Sequence, residues 1–215
     1  MTSTTEKYLR EFVTPFCRIT DRNRGGMAVP DTGLVIKTSI PEVELQELTV
    51  RNALEFFQLV TQNRDHLTQF GDYQDLAQST LEEIEAYFSN PADVNIRMGI
   101  WRGSELMGRV DLHPVEPRAY VLGYWIGSEY SGNGYVTASC RALIDYGGEQ
   151  LGATDFWAGV THGNEKSIAV LERLGFRRVE RLEGHTRFHL QTEKGKHCDV
   201  YLQMYGTDGL LEIGN

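Results

Sequence analysis

The chain has 215 residues, 40% of them hydrophobic and 24% charged, a balance that suits one globular domain and excludes wholesale disorder. Its formal charge of -9 argues against a nucleic-acid binder, which must neutralise phosphates with a basic face, and favours cationic partners such as amines or basic peptides. Cys17, Cys140 and Cys198 form neither a CxxC pair nor an even framework. The opening MTSTTEKYLREF carries charges where a secretory leader needs an apolar core, and no apolar run reaches the ~18 residues that span a bilayer. The expectation is a reduced, cytoplasmic protein.

Residues 1–33 lack sustained periodicity and end in the loop-rich RNRGGMAVPDTG, so they read as an arm. Tyr8, Phe12 and Phe16 have helical spacing and could dock the arm onto the body or onto a second subunit in a homodimer. LVIKTSIPEVELQELT looks extended, and Leu54, Phe57, Leu59 and Val60 mark an amphipathic helix. Thr80 with Glu83 forms a capping box ahead of LEEIEAYF, a second helix closed by Asn90-Pro91. VNIRMGIW, ELMGRVDLH and AYVLGYWIG read as strands, the first two joined by a turn at RGS. VTASCRALIDYG is helical and ends at Gly147-Gly148; DFWAGV is a buried strand. NEKSIAVLERLGF is a helix capped by Asn164 and stopped by Gly175. RFHLQT and DVYLQMY form a closing hairpin around EKGK. The order predicts an α+β domain over 34–206, built on a single mixed, mostly antiparallel sheet flanked by helices, with a tail at 207–215.

Between the third of these antiparallel strands and the next helix lies SEYSGNGYVTAS. It has no Lys after the second Gly, as a Walker loop requires, and lacks the third Gly of a dinucleotide fingerprint. Two readings remain for Gly132-Asn133-Gly134: a plain tight turn, or a bed of N–H groups at a helix start that takes a phosphate.

GYWIGSEYSGNGYVT, followed by NEKSIAVLERLGF, resembles the two signature motifs of the GNAT superfamily of acyl-CoA-dependent N-acyltransferases. NRDHLTQF and ELMGRVDLH resemble its RimJ/RimL branch, which acetylates protein N-termini and many small amines. The likeness runs from about Leu34 to Gly206. It implies the GNAT fold, with acetyl-CoA as acyl donor and no metal. It implies a pyrophosphate cradle at Ser131, Gly132, Asn133, Gly134, Tyr135, Val136 and Thr137. Ser131 stands where the family has Gln or Arg, and Val136 where it has Gly or Ala. It further implies pantetheine bonded by the backbone of Trp125, Ile126 and Gly127 where the strand splays from its neighbour. Asn164 would meet the pantetheine amides, and Ser167 would lie near the thioester sulfur. Each residue also has a plainer reading: Trp125 a core aromatic, Asn164 a helix cap, Ser167 a first-turn serine.

The implied reaction is direct attack of an amine on the thioester. Neutralising a lysine-like amine of pKa ~10.4 at pH 7 costs roughly 4–5 kcal/mol, whereas an α-amine at ~7.7–8.0 costs about 1. The candidate bases are Glu129 and His113, then Asp111 and His162; the acidic residue that relatives often carry on this strand is Val121 here. His185 and His189, about 13 Å apart if both lie on a strand, cannot share a metal ion. The alternative to an enzyme is a non-catalytic acyl-CoA-binding relative with a regulatory role.

Overall fold

The computed structural model describes residues 33–90 and 93–193. Among them, strands β1 (Val35–Lys37), β2 (Val43–Glu47), β3 (Ile96–Arg102), β4 (Glu105–Glu116), β5 (Ala119–Ile126), β6 (Asp155–Thr161), β7 (Arg177–Arg181) and β8 (His185–Gln191) form one sheet. Its order is β1-β2-β3-β4-β5-β6-β8-β7, and β5–β6 is its parallel pair. Four helices lie between β2 and β3: α1 (Ala53–Gln62), α2 (Arg64–Thr68), α3 (Gln74–Gln78) and α4 (Leu81–Phe88). Helices α5 (Tyr135–Gln150) and α6 (Glu165–Leu174) flank β6 in the chain. This is the mixed, mostly antiparallel sheet that the order of elements predicts.

Side chains alternate between faces along a strand, so Arg109 and Leu112 of β4 point opposite ways. The Arg109 guanidinium lies 5.8 Å from the Phe56 ring centroid on α1, while Leu112 abuts Gly147 of α5. Helices α1 and α5 therefore cover opposite faces. Phe56, Phe156 and Phe188 are fully buried between the layers; burial of each such side chain contributes about 1.5–3 kcal/mol.

Local signals hold where they are strongest. Thr80 accepts from the Glu83 N–H at 3.2 Å and Glu83 accepts from the Thr80 N–H at 2.8 Å, which closes the capping box at the start of α4. Asn164 accepts from the Ser167 N–H, and Gly175 ends α6 at φ +93.

Gly147 and Gly148 do not stop the preceding helix, which continues to Gln150. A Cβ at Gly147 would lie 3.1 Å from Leu112 Cδ1 and from the Phe156 ring, so the residue lets α5 approach the sheet closely instead of ending it. The extended stretch before α1 divides into β1 and β2, paired antiparallel. Helices α2 and α3 are too short to show a period. Strand β7 is exposed at every position, so it shows no alternation either. RFHLQT lies in β8, whose partners among the described residues are β6 and β7. DVYLQMY, the tail and the arm up to residue 32 lie outside the described residues.

Candidate active site

Strands β5 and β6 pair only from Ala119↔Asp155 to Val121↔Trp157. Beyond that point β5 stays bonded to β4 as far as Ile126↔Gly108, while β6 parts from it. A cavity of about 1020 Å³ occupies the gap and continues to the start of α5, at the upper end of ordinary ligand pockets.

Backbone polar groups of successive strand residues point to opposite edges. Gly127 N–H donates to Met107 O on β4, and the Trp125 carbonyl lies over Gly108. Tyr124, by contrast, turns its carbonyl into the gap, where Tyr73 Oη donates to it at 2.9 Å. The Ile126 backbone also faces the gap, and His66 lines the same cavity. Of the three residues expected to bond pantetheine, Ile126 presents its backbone to the cavity, and Tyr124 is a second residue that does so. Trp125 also lines the cavity, while its ring is buried against Phe56, edge to face at 5.7 Å between centroids, so its core reading holds. Gly127 does not line the cavity.

After a single 3-10 turn at Ser128–Tyr130, Ser131 is extended, and Gly132 and Gly134 take φ +86 and +79. Only glycine adopts these angles without strain. A Cβ at either position would meet nothing within 4 Å, so the loop opens onto free space. Gly134 is the N-cap of the sixteen-residue α5, which has no side-chain cap and no acidic residue in its first turn. The N–H groups of that turn and the helix dipole are thus offered to an anion. Ser131, Gly132, Gly134, Tyr135, Val136 and Thr137 all line the cavity. Asn133 does not; its side-chain amide donates to Tyr130 O at 3.1 Å and braces the loop. Val136 is half-buried and packs on the core, so its extra methyls are absorbed there. Arg141, on the second turn of α5, and Arg173, late on α6, also line the cavity. Two guanidinium groups in the wall suit a phosphate-bearing ligand, although the chain is acidic overall.

Asn164 and Ser167 meet the cavity at the start of α6. The Ser167 carbonyl accepts from Tyr124 Oη at 3.1 Å, tying α6 to the splayed strand. The candidate bases separate. Glu129 is exposed and outside the cavity lining. His113 lines the cavity, but its Nε2 lies 2.5 Å from Asp111 Oδ1, and Asp111 Oδ2 lies 2.7 Å from Arg109 Nε. Burial pushes the Asp111 carboxyl up, yet the charges of Arg109 and His113 outweigh it and hold the group below the usual carboxylate range. Asp111 therefore stays ionised and occupied, unsuited to accept a proton near neutral pH. His162 is outside the cavity lining, and its Nε2 is buried without a hydrogen bond among the described residues.

Several cavity residues escaped sequence reasoning. Asp72 and Tyr73 enter on the turn between α2 and α3, joined by His66 from α2 and His185 from β8. Burial, then Arg187 and His162, lower the pKa of His185. His189 pairs with Asp155 at 2.9 Å and stacks on Trp157, well away from His185. Among the described residues, no cluster of three or more His, Cys, Asp or Glu is placed to hold a metal ion. No helix there is long and apolar enough to cross a membrane. Buried Cys140 has its thiol pKa pushed up by burial and Asp111, which leaves it inert.

A splayed strand pair leading to an uncapped helix start defines a site for an extended ligand with an anionic end. Residues 42–177 match the profile of the Acetyltransferase (GNAT) domain family. The chain is 32% identical over 169 residues to "Putative ribosomal N-acetyltransferase YdaF" of Bacillus subtilis, covering 75% of this chain and 90% of that protein. In fold it resembles RimL, a ribosomal L7/L12 alpha-N-protein acetyltransferase solved with coenzyme A, at TM-score 0.65 and 20% identity over 75% and 99% of the two chains. Mycobacterium smegmatis RimJ, solved with CoA-disulfide, gives TM-score 0.63 at 18% identity over 78% and 91%. The chain belongs to the GNAT acetyltransferase family and is an acetyl-CoA-dependent N-acetyltransferase.

Proposed function

We propose that the acceptor is the free α-amine of a protein or peptide. The observation that carries this reading is the single cavity that runs from the glycine loop to a second region lined by Asp72, His66, His113 and His185. Its volume and lining leave room for an acceptor beside the coenzyme. In this reading the coenzyme pyrophosphate rests on Ser131 to Thr137, with Arg141 and Arg173 as counter-charges. Pantetheine follows β5 through the Tyr124 and Ile126 backbones, and Asn164 contacts its amides. Ser167 donates a hydrogen bond to the departing sulfur, whose thiol has a pKa of ~8.5, low enough to leave as an anion.

An α-amine at pKa ~7.7–8.0 costs far less to neutralise than a lysine amine, which suits a site whose Asp111 is already committed to Arg109 and His113. The names of the relatives point to ribosomal proteins as acceptors, and hence to the cytoplasm. The acidic surface would steer basic N-terminal segments towards the cavity. The test uses two peptides with acetyl-CoA: one with a free α-amine and no lysine, the other blocked at its N-terminus and carrying one lysine. Mass spectrometry is expected to find the acetyl group on the first peptide, formed at least ~10-fold faster than on the second. Preference for the lysine peptide would overturn the reading.

A further inference from the structure

The turn Phe70-Gly71-Asp72-Tyr73 fastens both walls of the splay. Tyr73 donates from its hydroxyl to the Tyr124 carbonyl on β5, at 2.9 Å. Asp72 accepts from the Thr161 hydroxyl at the end of β6, at 2.5 Å. To make both contacts Tyr73 adopts φ +56 and ψ +21, a left-handed conformation that costs a tyrosine about 1–2 kcal/mol. Such strain persists only where the surroundings over-determine it, and it collects at functional sites. Gly71 at φ +88 supplies the preceding bend.

Asp72 is half-buried and lines the cavity. Among the described residues its carboxylate forms no ion pair, and its side-chain partner is the neutral Thr161 hydroxyl. This contrasts with Asp111, flanked by Arg109 and His113. A partly desolvated carboxylate without a counter-cation, in a cavity that must receive an amine, is unsatisfied until a cation arrives.

We propose that Asp72 binds the acceptor as its ammonium ion and then takes a proton from it, as the general base of the transfer. The inference rests on the acetyltransferase reading and assigns the acceptor end of the same cavity. Asp72 receives one N–H proton and later releases it to solvent. The freed lone pair forms the N–C bond to the acetyl carbonyl carbon, and the C–S bond then breaks. The second proton leaves nitrogen as the amide forms and ends on the departing sulfur. Burial raises the Asp72 pKa, and the Thr161 hydrogen bond opposes that rise, so the group is a better base than an exposed aspartate. The other titratable groups lining this region are His66, Tyr73, His113, Glu165, Lys166 and His185.

Asp72→Asn keeps the shape and the contact with Thr161 but can neither hold a counter-charge nor take a proton. Its kcat/KM for a peptide α-amine is expected to fall about 10²–10⁴-fold at pH 6–7. Coenzyme A affinity, followed by calorimetry, should stay within about threefold. The wild-type profile should be flat between the Asp72 and amine pKa values. That of the Asn variant should climb about tenfold per pH unit until the amine is neutral at ~7.7–8.0. Thr161→Val removes a hydrogen bond to the charged form and should move the wild-type acid limb to higher pH. A threefold or smaller loss with an unchanged profile would overturn the assignment. Loss of coenzyme binding together with turnover would also overturn it, making Asp72 a structural residue. Wild-type protein that acetylates no amine would instead fail the acetyltransferase reading itself.

Discussion

The two ends of the cavity are built by different means. The end proposed for the coenzyme is mostly backbone: two positive-φ glycines, the open first turn of α5 and the edge of β5 that β6 leaves. The acceptor end is mostly side chains, brought together from α2, the turn after it, β4, β6 and β8. Backbone geometry is written in short contiguous stretches and tolerates side-chain exchange. Convergent side chains depend on the whole sheet being assembled, and an exchange among those at an exposed edge alters the site more directly than the backbone. One end can therefore stay constant while the other adapts to its acceptor.

The contrast is open to attack at several points. The largest effect is expected beneath the acceptor end. Asp111→Asn leaves Arg109 buried without its counter-charge, which should cost about 3–5 kcal/mol and lower Tm by roughly 10 °C, read by calorimetry. The pH dependence follows from the depressed Asp111 pKa. Its stabilisation is present above the unfolded value of about 3.9 and is lost as pH falls through the lower folded value. The gap between wild type and variant should thus be wide at pH 7, begin to narrow below about pH 4 and close only as pH passes the lower folded value.

Ser167→Ala comes next, with kcat reduced about 10–100-fold and the KM for acetyl-CoA little changed, since the lost hydrogen bond strengthens only as sulfur gains charge. Gly134→Ala should act in the opposite sense. Strain at positive φ, about 1–2 kcal/mol, and a methyl group facing the pyrophosphate should raise the KM for acetyl-CoA roughly tenfold, with a smaller change in kcat. The smallest effect is expected at Glu129, which is exposed and outside the cavity. Glu129→Gln should alter steady-state parameters less than about twofold, within the range of a surface change away from any site.

This division also explains what could be read in advance. The glycine loop, the Asn164 cap and the helix stop at Gly175 are local signals, and the structure repeats them. Gly147 reads as a helix stop in the sequence because a helix-stop glycine and a close-packing glycine look alike until Leu112 and Phe156 lie beside it. Trp125 and Gly127 differ from Ile126 only in which edge of β5 their backbone faces, and that depends on the register with β4. Asp72 lies 89 residues from Thr161. A Gly-Asp-Tyr turn is visible in the sequence, but nothing local says which strand it will touch. Glu129, close in sequence to the glycine loop, is turned away from the cavity by the 3-10 turn that follows Gly127.

In the proposed arrangement one cavity holds the coenzyme along β5 with its phosphates on the glycine loop. A crystal structure of the protein with coenzyme A tests it most directly. The expected result is pyrophosphate oxygens within hydrogen-bonding distance of the N–H groups of residues 132–137, and pantetheine lying between β5 and β6 against Tyr124 and Ile126. Coenzyme bound elsewhere, or a gap between the strands that stays empty at saturating coenzyme, would contradict it.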